Sequence, residues 1–202
     1  MPLFRFDDTL ILFIHVPKTG GTSVEQALRA MGGRAALLCN TTDGYARCTP
    51  QHMQAEILSA FVPEGFYDMR FAVIREPQSR LVSEYKMRRA GRKLRGMPLL
   101  SFTDWVDQTF RRYERNPYVF DNHIRPQTEL IPEHTQIFRL EDGLEVALAH
   151  VARRLGRAAP ALDRVRPGAP DPVEIPPATA ARVAAFYRAD YDRFGYGAPR
   201  PD

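Results

Sequence analysis

The chain has 202 residues, 44% hydrophobic and 26% charged, with 28 lysines and arginines against 24 aspartates and glutamates. This composition excludes a disordered chain, and a formal net charge of +4 suits a modest anionic ligand better than a long polyanion such as nucleic acid. Two cysteines, Cys39 and Cys48, are too few for a disulfide framework, and the apolar run from Leu10 to Val16 is too short for a membrane span of about 20 residues, so we expect one cytoplasmic domain over residues 1–202. A bridge between the two cysteines is left open.

In chain order, "TLILFIHV" (9–16) is rich in branched and aromatic residues without alternation, the pattern of a parallel strand buried on both faces. Pro17 ends it. "TSVEQALRAMGG" then places Val24, Ala27, Leu28 and Met31 at helical spacing and stops at Gly32 and Gly33. "TPQHMQAEILSAF" predicts a short helix opened by Thr49 and Pro50, with His52 in its first turn. A second apolar strand, Phe71 to Ile74, leads through "REP" into a helix from Pro77 to Gly91. "SFTDWVDQTFRRYERN" predicts an amphipathic helix capped by Ser101, with Phe102, Trp105 and Phe110 on its core face. After the loop "NPYVFDNHIRPQTEL", "TQIFRLED" is a third strand and "GLEVALAHVARRLG" a helix ended by Gly156. Residues 157–177 are rich in Pro, Arg and Ala and predict a loop; "PATAARVAAFYRADYDRFGY" is a closing helix. Alternating strands and helices imply an α/β fold, a three-layer parallel sheet with helices on both faces, whose ligands bind at the carboxyl edge of the strands.

The stretch "HVPKTGGTS" carries the chemistry. Adjacent glycines between a strand and a helix let the backbone approach a ligand, and the first amides of the helix point outward at the positive end of its dipole. Lys18, Thr22 and Ser23 add an ammonium and two hydroxyls to the amides of Thr19, Gly20, Gly21 and Thr22, a cradle for phosphate or sulfate. A Walker A loop has its lysine after the second glycine; here Lys18 precedes both, which argues against an ordinary ATPase or kinase.

"FIHVPKTGGTS" followed by "FAVIREPQSRLVSEY" resembles the two nucleotide-binding motifs of the carbohydrate sulfotransferases that use 3′-phosphoadenosine 5′-phosphosulfate (PAPS), the group of 2-O-sulfotransferases and their bacterial relatives. The resemblance implies a P-loop NTPase-like sulfotransferase fold and PAPS as co-substrate, released as PAP, with no metal. It assigns Lys18, Thr19, Gly20, Gly21, Thr22 and Ser23 to the 5′-phosphosulfate and Arg75 with Ser83 to the 3′-phosphate; Arg80 and Tyr85 also fit the second motif. The implied reaction is transfer of a sulfuryl group to an acceptor hydroxyl on a carbohydrate or glycoconjugate, with Lys18 stabilising charge on the leaving oxygen. "DNHIRPQTEL" and "FYRADYDRFGY" are similar to segments of the bacterial members.

For the general base the resemblance favours His52, which lies 23 residues before Arg75. Glu56, one helical turn beyond it, either orients the ring or is itself the base. His123 is the rival, with acceptor binding alongside Arg125 or bracing through Gln127 as its other readings. Several residues have a plain structural reading: His15 as a hydrogen-bonded strand residue, Arg80 and Tyr85 as helix braces, and Lys86 to Arg95 as a solvated face that would otherwise attract an anionic glycan. Arg164 and Arg166 fall where family members place a loop over the nucleotide. Two alternative functions stay open: a nucleotide-dependent kinase, for which Glu141 and Asp142 would be the metal-binding acids, and a PAP-binding module without turnover.

Overall fold

The computed structural model of the chain describes residues 1–42, 44, 46–160 and 172–197. They fall into two compact units: Met1–Arg75 with the segment from Glu129 onward, and Glu76–Thr128 with the C-terminal helices.

The first unit holds a five-stranded sheet. Strands β1 (Leu3–Phe6), β2 (Thr9–Ile14), β3 (Arg34–Ala36), β4 (Met69–Ile74) and β5 (Gln136–Arg139) lie in the order β3-β1-β2-β4-β5. The three strands anticipated from the sequence, β2, β4 and β5, are parallel and adjacent, with Ile14 opposite Ala72 and Ile74 opposite Arg139. The sheet is mixed because β1 folds back on β2 through Asp7 and Asp8, and β3 pairs antiparallel with β1. Asp7 takes a φ of 47°, a turn conformation that aspartate tolerates.

Alternation along the strands sorts two buried faces. Phe4, Phe6, Ile11, Phe13, Phe71 and Val73 pack against Val24, Ala27 and Leu28 of α1 (Gly21–Ala30) and Ala147, Leu148 and Val151 of the later helix Leu144–Arg154. The opposite face carries Leu10, Leu12, Ile14, Ala72 and Ile74, buried as well, so β2 and β4 are covered on both sides as the apolar run predicts, while β5 at the edge is only half-buried. The 49–61 segment departs from the continuous helix expected. A 3-10 turn at Pro50–His52 and helix α2 (Ala55–Phe61) are separated by Met53 and Gln54, whose ψ values of 143° and 159° are extended.

The second unit is helical. It contains α3 (Pro77–Leu94), α4 (Phe102–Arg115), the start of α5 (Gln127–Leu130), then, after α6 (Leu144–Arg154) of the first unit, α7 (Pro177–Phe186) and α8 (Arg188–Phe194). The closing helix is thus broken at Tyr187. The Glu76 carboxylate caps α3, accepting from the Gln78 and Ser79 amides at 3.0 and 2.6 Å, and Ser101 caps α4 through the Asp104 amide at 3.1 Å. Leu81, Tyr85, Phe102, Trp105, Val106 and Phe110 pack with Val183, Tyr187 and Tyr191 around a common core. Asp190, wholly buried, accepts from the amides of Gln127 and Thr128, both at 2.8 Å, and so caps α5 from sixty residues away in sequence. No disulfide joins Cys39 and Cys48, and Cys48 is buried. Arg164 and Arg166 lie outside the described residues.

Candidate active site

Because β2, β4 and β5 run parallel and side by side, their carboxyl ends share one edge of the sheet. The glycine loop leaves β2 there. Lys18 and Gly20 take φ of 70° and 83° on either side of Thr19, an alternation that turns successive amides toward a common concavity. A left-handed lysine is uncommon, and here neighbouring contacts fix it: the Thr19 hydroxyl, fully buried, donates to the Val16 carbonyl at 2.9 Å. Thr19 therefore contributes its backbone to the loop, while its side chain is a brace.

Both glycines are required by their surroundings. A Cβ on Gly20 would meet Leu144 Cδ1 at 3.0 Å and Leu140 Cδ1 at 3.4 Å, in addition to the positive φ. A Cβ on Gly21 would overlap the imidazole of His15. Gly20 is the N-cap of α1, and its carbonyl accepts from the Ser23 and Val24 amides at 3.0 and 3.2 Å. The amides of Gly21 and Thr22 precede these as the outward donors of the helix start. Lys18 and Ser23 are half-buried and Thr22 is exposed.

Behind the loop sits a polar cluster. His15 Nδ1 bonds Glu25 Oε1, and Gln51 Nε2 reaches both His15 Nδ1 at 3.0 Å and Glu25 Oε1 at 2.9 Å. The His52 ring meets the edge of His15, with centroids 5.0 Å apart, and its Nδ1 lies 3.4 Å from Thr49 Oγ1. The two histidines and the glycine loop are thus neighbours in the first unit. Glu56 is not one helical turn from His52, because the extended pair Met53–Gln54 interrupts the helix; the Glu56 side chain is exposed on α2. Glu25 and Gln51 escaped the sequence reading. Glu25 left a signal: three residues before Leu28, it puts a carboxylate on the buried stripe of α1, where an ionisable group needs a partner.

Arg75 closes β4 on the edge that bears the loop, and its guanidinium lies 3.4 Å from the Lys18 carbonyl oxygen. The lysine of the first motif and the arginine of the second are therefore in contact.

In the second unit the remaining motif residues divide by burial. Ser83 is half-buried on the second turn of α3. Arg80 is 1% exposed and donates to the His123 and Arg125 carbonyls at 3.1 and 2.8 Å, and Tyr85 donates to the Leu100 carbonyl at 2.7 Å, so both are braces. His123 Nδ1 meets Glu84 Oε2 at 2.8 Å, and Arg88 Nε meets Glu84 Oε1 at 2.6 Å. Burial would push the Glu84 carboxyl up, but hydrogen bonding and charge from His123 and then Arg88 outweigh it and hold the group below its ordinary range. Arg125 is buried, donates to Asn122 Oδ1 at 3.0 Å and lies over the Tyr118 ring. Burial, and next the Glu76 carboxylate it bonds, push the Tyr191 phenol far up; burial does the same for Tyr187.

A glycine loop bearing Lys18 and an arginine at the end of the neighbouring parallel strand thus meet at one edge of the sheet. A family model described as "Sulfotransferase family" matches residues 1–197. The chain belongs to the sulfotransferase family. No curated protein and no solved structure gives a significant match. As a sulfotransferase the chain is a transferase acting on an acceptor substrate, and no described helix is long and apolar enough to cross a membrane. The sulfotransferase fold places both sequence motifs after adjacent strands β2 and β4, which is how residues 57 positions apart come to touch.

Proposed function

We propose that the chain transfers the sulfuryl group of PAPS to an acceptor hydroxyl on a carbohydrate, releasing PAP. The observation that carries this reading is the contact between Arg75 and the Lys18 carbonyl at the carboxyl edge of β2 and β4, which supports two anion-holding motifs acting on one ligand. The donor set fits such a ligand: convergent amides, an ammonium and a guanidinium, with no need for a metal to neutralise the charge.

Lys18, the amides from Thr19 to Thr22 and the hydroxyls of Thr22 and Ser23 hold the 5′ end, and Lys18 stabilises negative charge on the oxygen that leaves. By motif spacing, Arg75 and Ser83 take the 3′-phosphate, which distinguishes PAPS from ATP. His52 removes the acceptor proton; it lies beside the loop, whereas His123 is held by the Glu84 carboxylate in the second unit. His15, bonded to Glu25 and Gln51, supports the His52 ring edge-on and fixes the floor under Gly21.

Transfer assays with labelled PAPS and a panel of sugar acceptors test the scheme. Lys18→Ala should lower turnover by roughly 10²- to 10³-fold, by more than it weakens PAP binding. Arg75→Ala should act mainly on nucleotide affinity, losing about 1.5–3 kcal/mol as expected for a charged hydrogen bond. His52→Ala should lower turnover by roughly 10²- to 10⁴-fold with PAP affinity unchanged. Unchanged PAP affinity in Arg75→Ala would refute the 3′ assignment, and normal turnover in His52→Ala would move the base role elsewhere.

A further inference from the structure

The end of α3 and the loop after it show charge and exposed apolar surface together. Six basic residues, Lys86, Arg88, Arg89, Arg92, Lys93 and Arg95, occur within ten positions, and no acidic residue lies between Tyr85 and Thr103. In the same stretch are four of the seven large apolar side chains exposed among the described residues: Met87 at 39%, Leu94 at 88%, Met97 at 43% and Leu99 at 45%. A single exposed leucine is ordinary, but four such side chains within thirteen positions, rimmed by basic residues, mark an interaction surface.

Helical spacing orders these residues. Met87, Ala90 and Leu94, at i, i+3 and i+7, form one apolar stripe. Lys86 and Lys93 flank it on one side, and Arg88 and Arg95 on the other. The loop that follows the helix adds Met97 and Leu99, both exposed. Beside it is a cavity of about 140 Å³ lined by Arg88, Arg92, Arg95 and Arg112 with Met97 and Phe120. Among the described residues no carboxylate pairs with Arg92, Arg95 or Arg112; Arg88 alone meets one, Glu84. Backbone carbonyls orient two of these guanidiniums through Nε, with Pro98 accepting from Arg92 at 2.8 Å and Gly91 from Arg95 at 3.1 Å.

We infer that this surface docks on an anionic membrane: the apolar stripe and the loop enter the headgroup boundary, the flanking lysines and arginines face acidic lipids, and the arginine cavity seats one headgroup phosphate. A basic apolar-striped helix end complements such a surface in both charge and hydrophobicity. A soluble polyanion would match the arginines but leave Leu94 and Leu99 without a role.

Sedimentation of the full chain with vesicles tests this. The chain should pellet with phosphatidylcholine vesicles containing about one-third phosphatidylglycerol, remain free of pure phosphatidylcholine, and be released by raised salt. Leu94→Ser with Leu99→Ser should weaken partitioning roughly tenfold while the charges remain, and Lys93→Glu with Arg95→Glu should abolish it. Circular dichroism and melting verify folding; should the leucine pair fail there, Leu94→Ser alone is read the same way. The inference is overturned if the leucine variants bind anionic vesicles like the parent, if neutral vesicles bind equally, if only a soluble sulfated polysaccharide or RNA is captured, or if the patch proves to be a dimer contact that Leu94→Ser dissociates.

Discussion

Gly21 and His15 occupy each other's space: the imidazole stands where a side chain at position 21 would begin. Gly21→Ala should therefore cost about 1–3 kcal/mol in overpacking and displace His15 from Glu25, lowering both the melting temperature and the transfer rate. A parental rate would mean that the ring moves aside at no cost. Glu84 governs a second residue-level effect. Its folded-state acidity is raised by His123 and Arg88, so the stabilisation is complete above the unfolded carboxyl value and is lost as pH falls through the lower folded one. Unfolding experiments should show stability declining below about pH 4, a decline that Glu84→Gln reduces. Glu84→Ala should cost about 1–3 kcal/mol at neutral pH, since it takes the shared acceptor from the partly buried His123 and Arg88.

Elements differed in how openly the sequence announced them. β2, β4, β5 and the helix ending before Gly156 were legible because each is a sustained periodic or continuous apolar run with a clear stop. The hairpin strand β1 was missed although "LFRFDD" alternates and ends in turn residues; four residues make a faint signal. β3 has three residues, all exposed, and so no burial pattern to read. The break at Met53–Gln54 has no proline or glycine to mark it, so the spacing of His52 and Glu56 was misjudged. In the site, the loop and Arg75 were readable as motifs, whereas Glu25 and Gln51 join His15 only through folding. The cap of α3 offers a test on this scale. Glu76 receives two helix-start amides and the Tyr191 hydroxyl at 2.6 Å, so Glu76→Ala should cost about 2 kcal/mol or more, at the upper end for a cap, in chemical denaturation.

Across the whole chain, three parallel strands deliver their ends to one edge, and residues far apart in sequence, such as Lys18 and Arg75, meet there. Binding of PAP should accordingly be felt in the stability of the chain. At a hundredfold excess over its dissociation constant the nucleotide should add about 2.7 kcal/mol, raising the melting temperature by roughly 5–10 °C, while ATP with magnesium should do markedly less. Equal shifts from the two ligands would remove the basis for a 3′-phosphate site. The carboxylate of Asp190 has a practical corollary. It serves as the missing first turn of a helix laid down more than sixty residues earlier, so shortening the gene ahead of that codon would not trim a dispensable tail. It would orphan two amide donors, and expression trials of such truncations should return insoluble material.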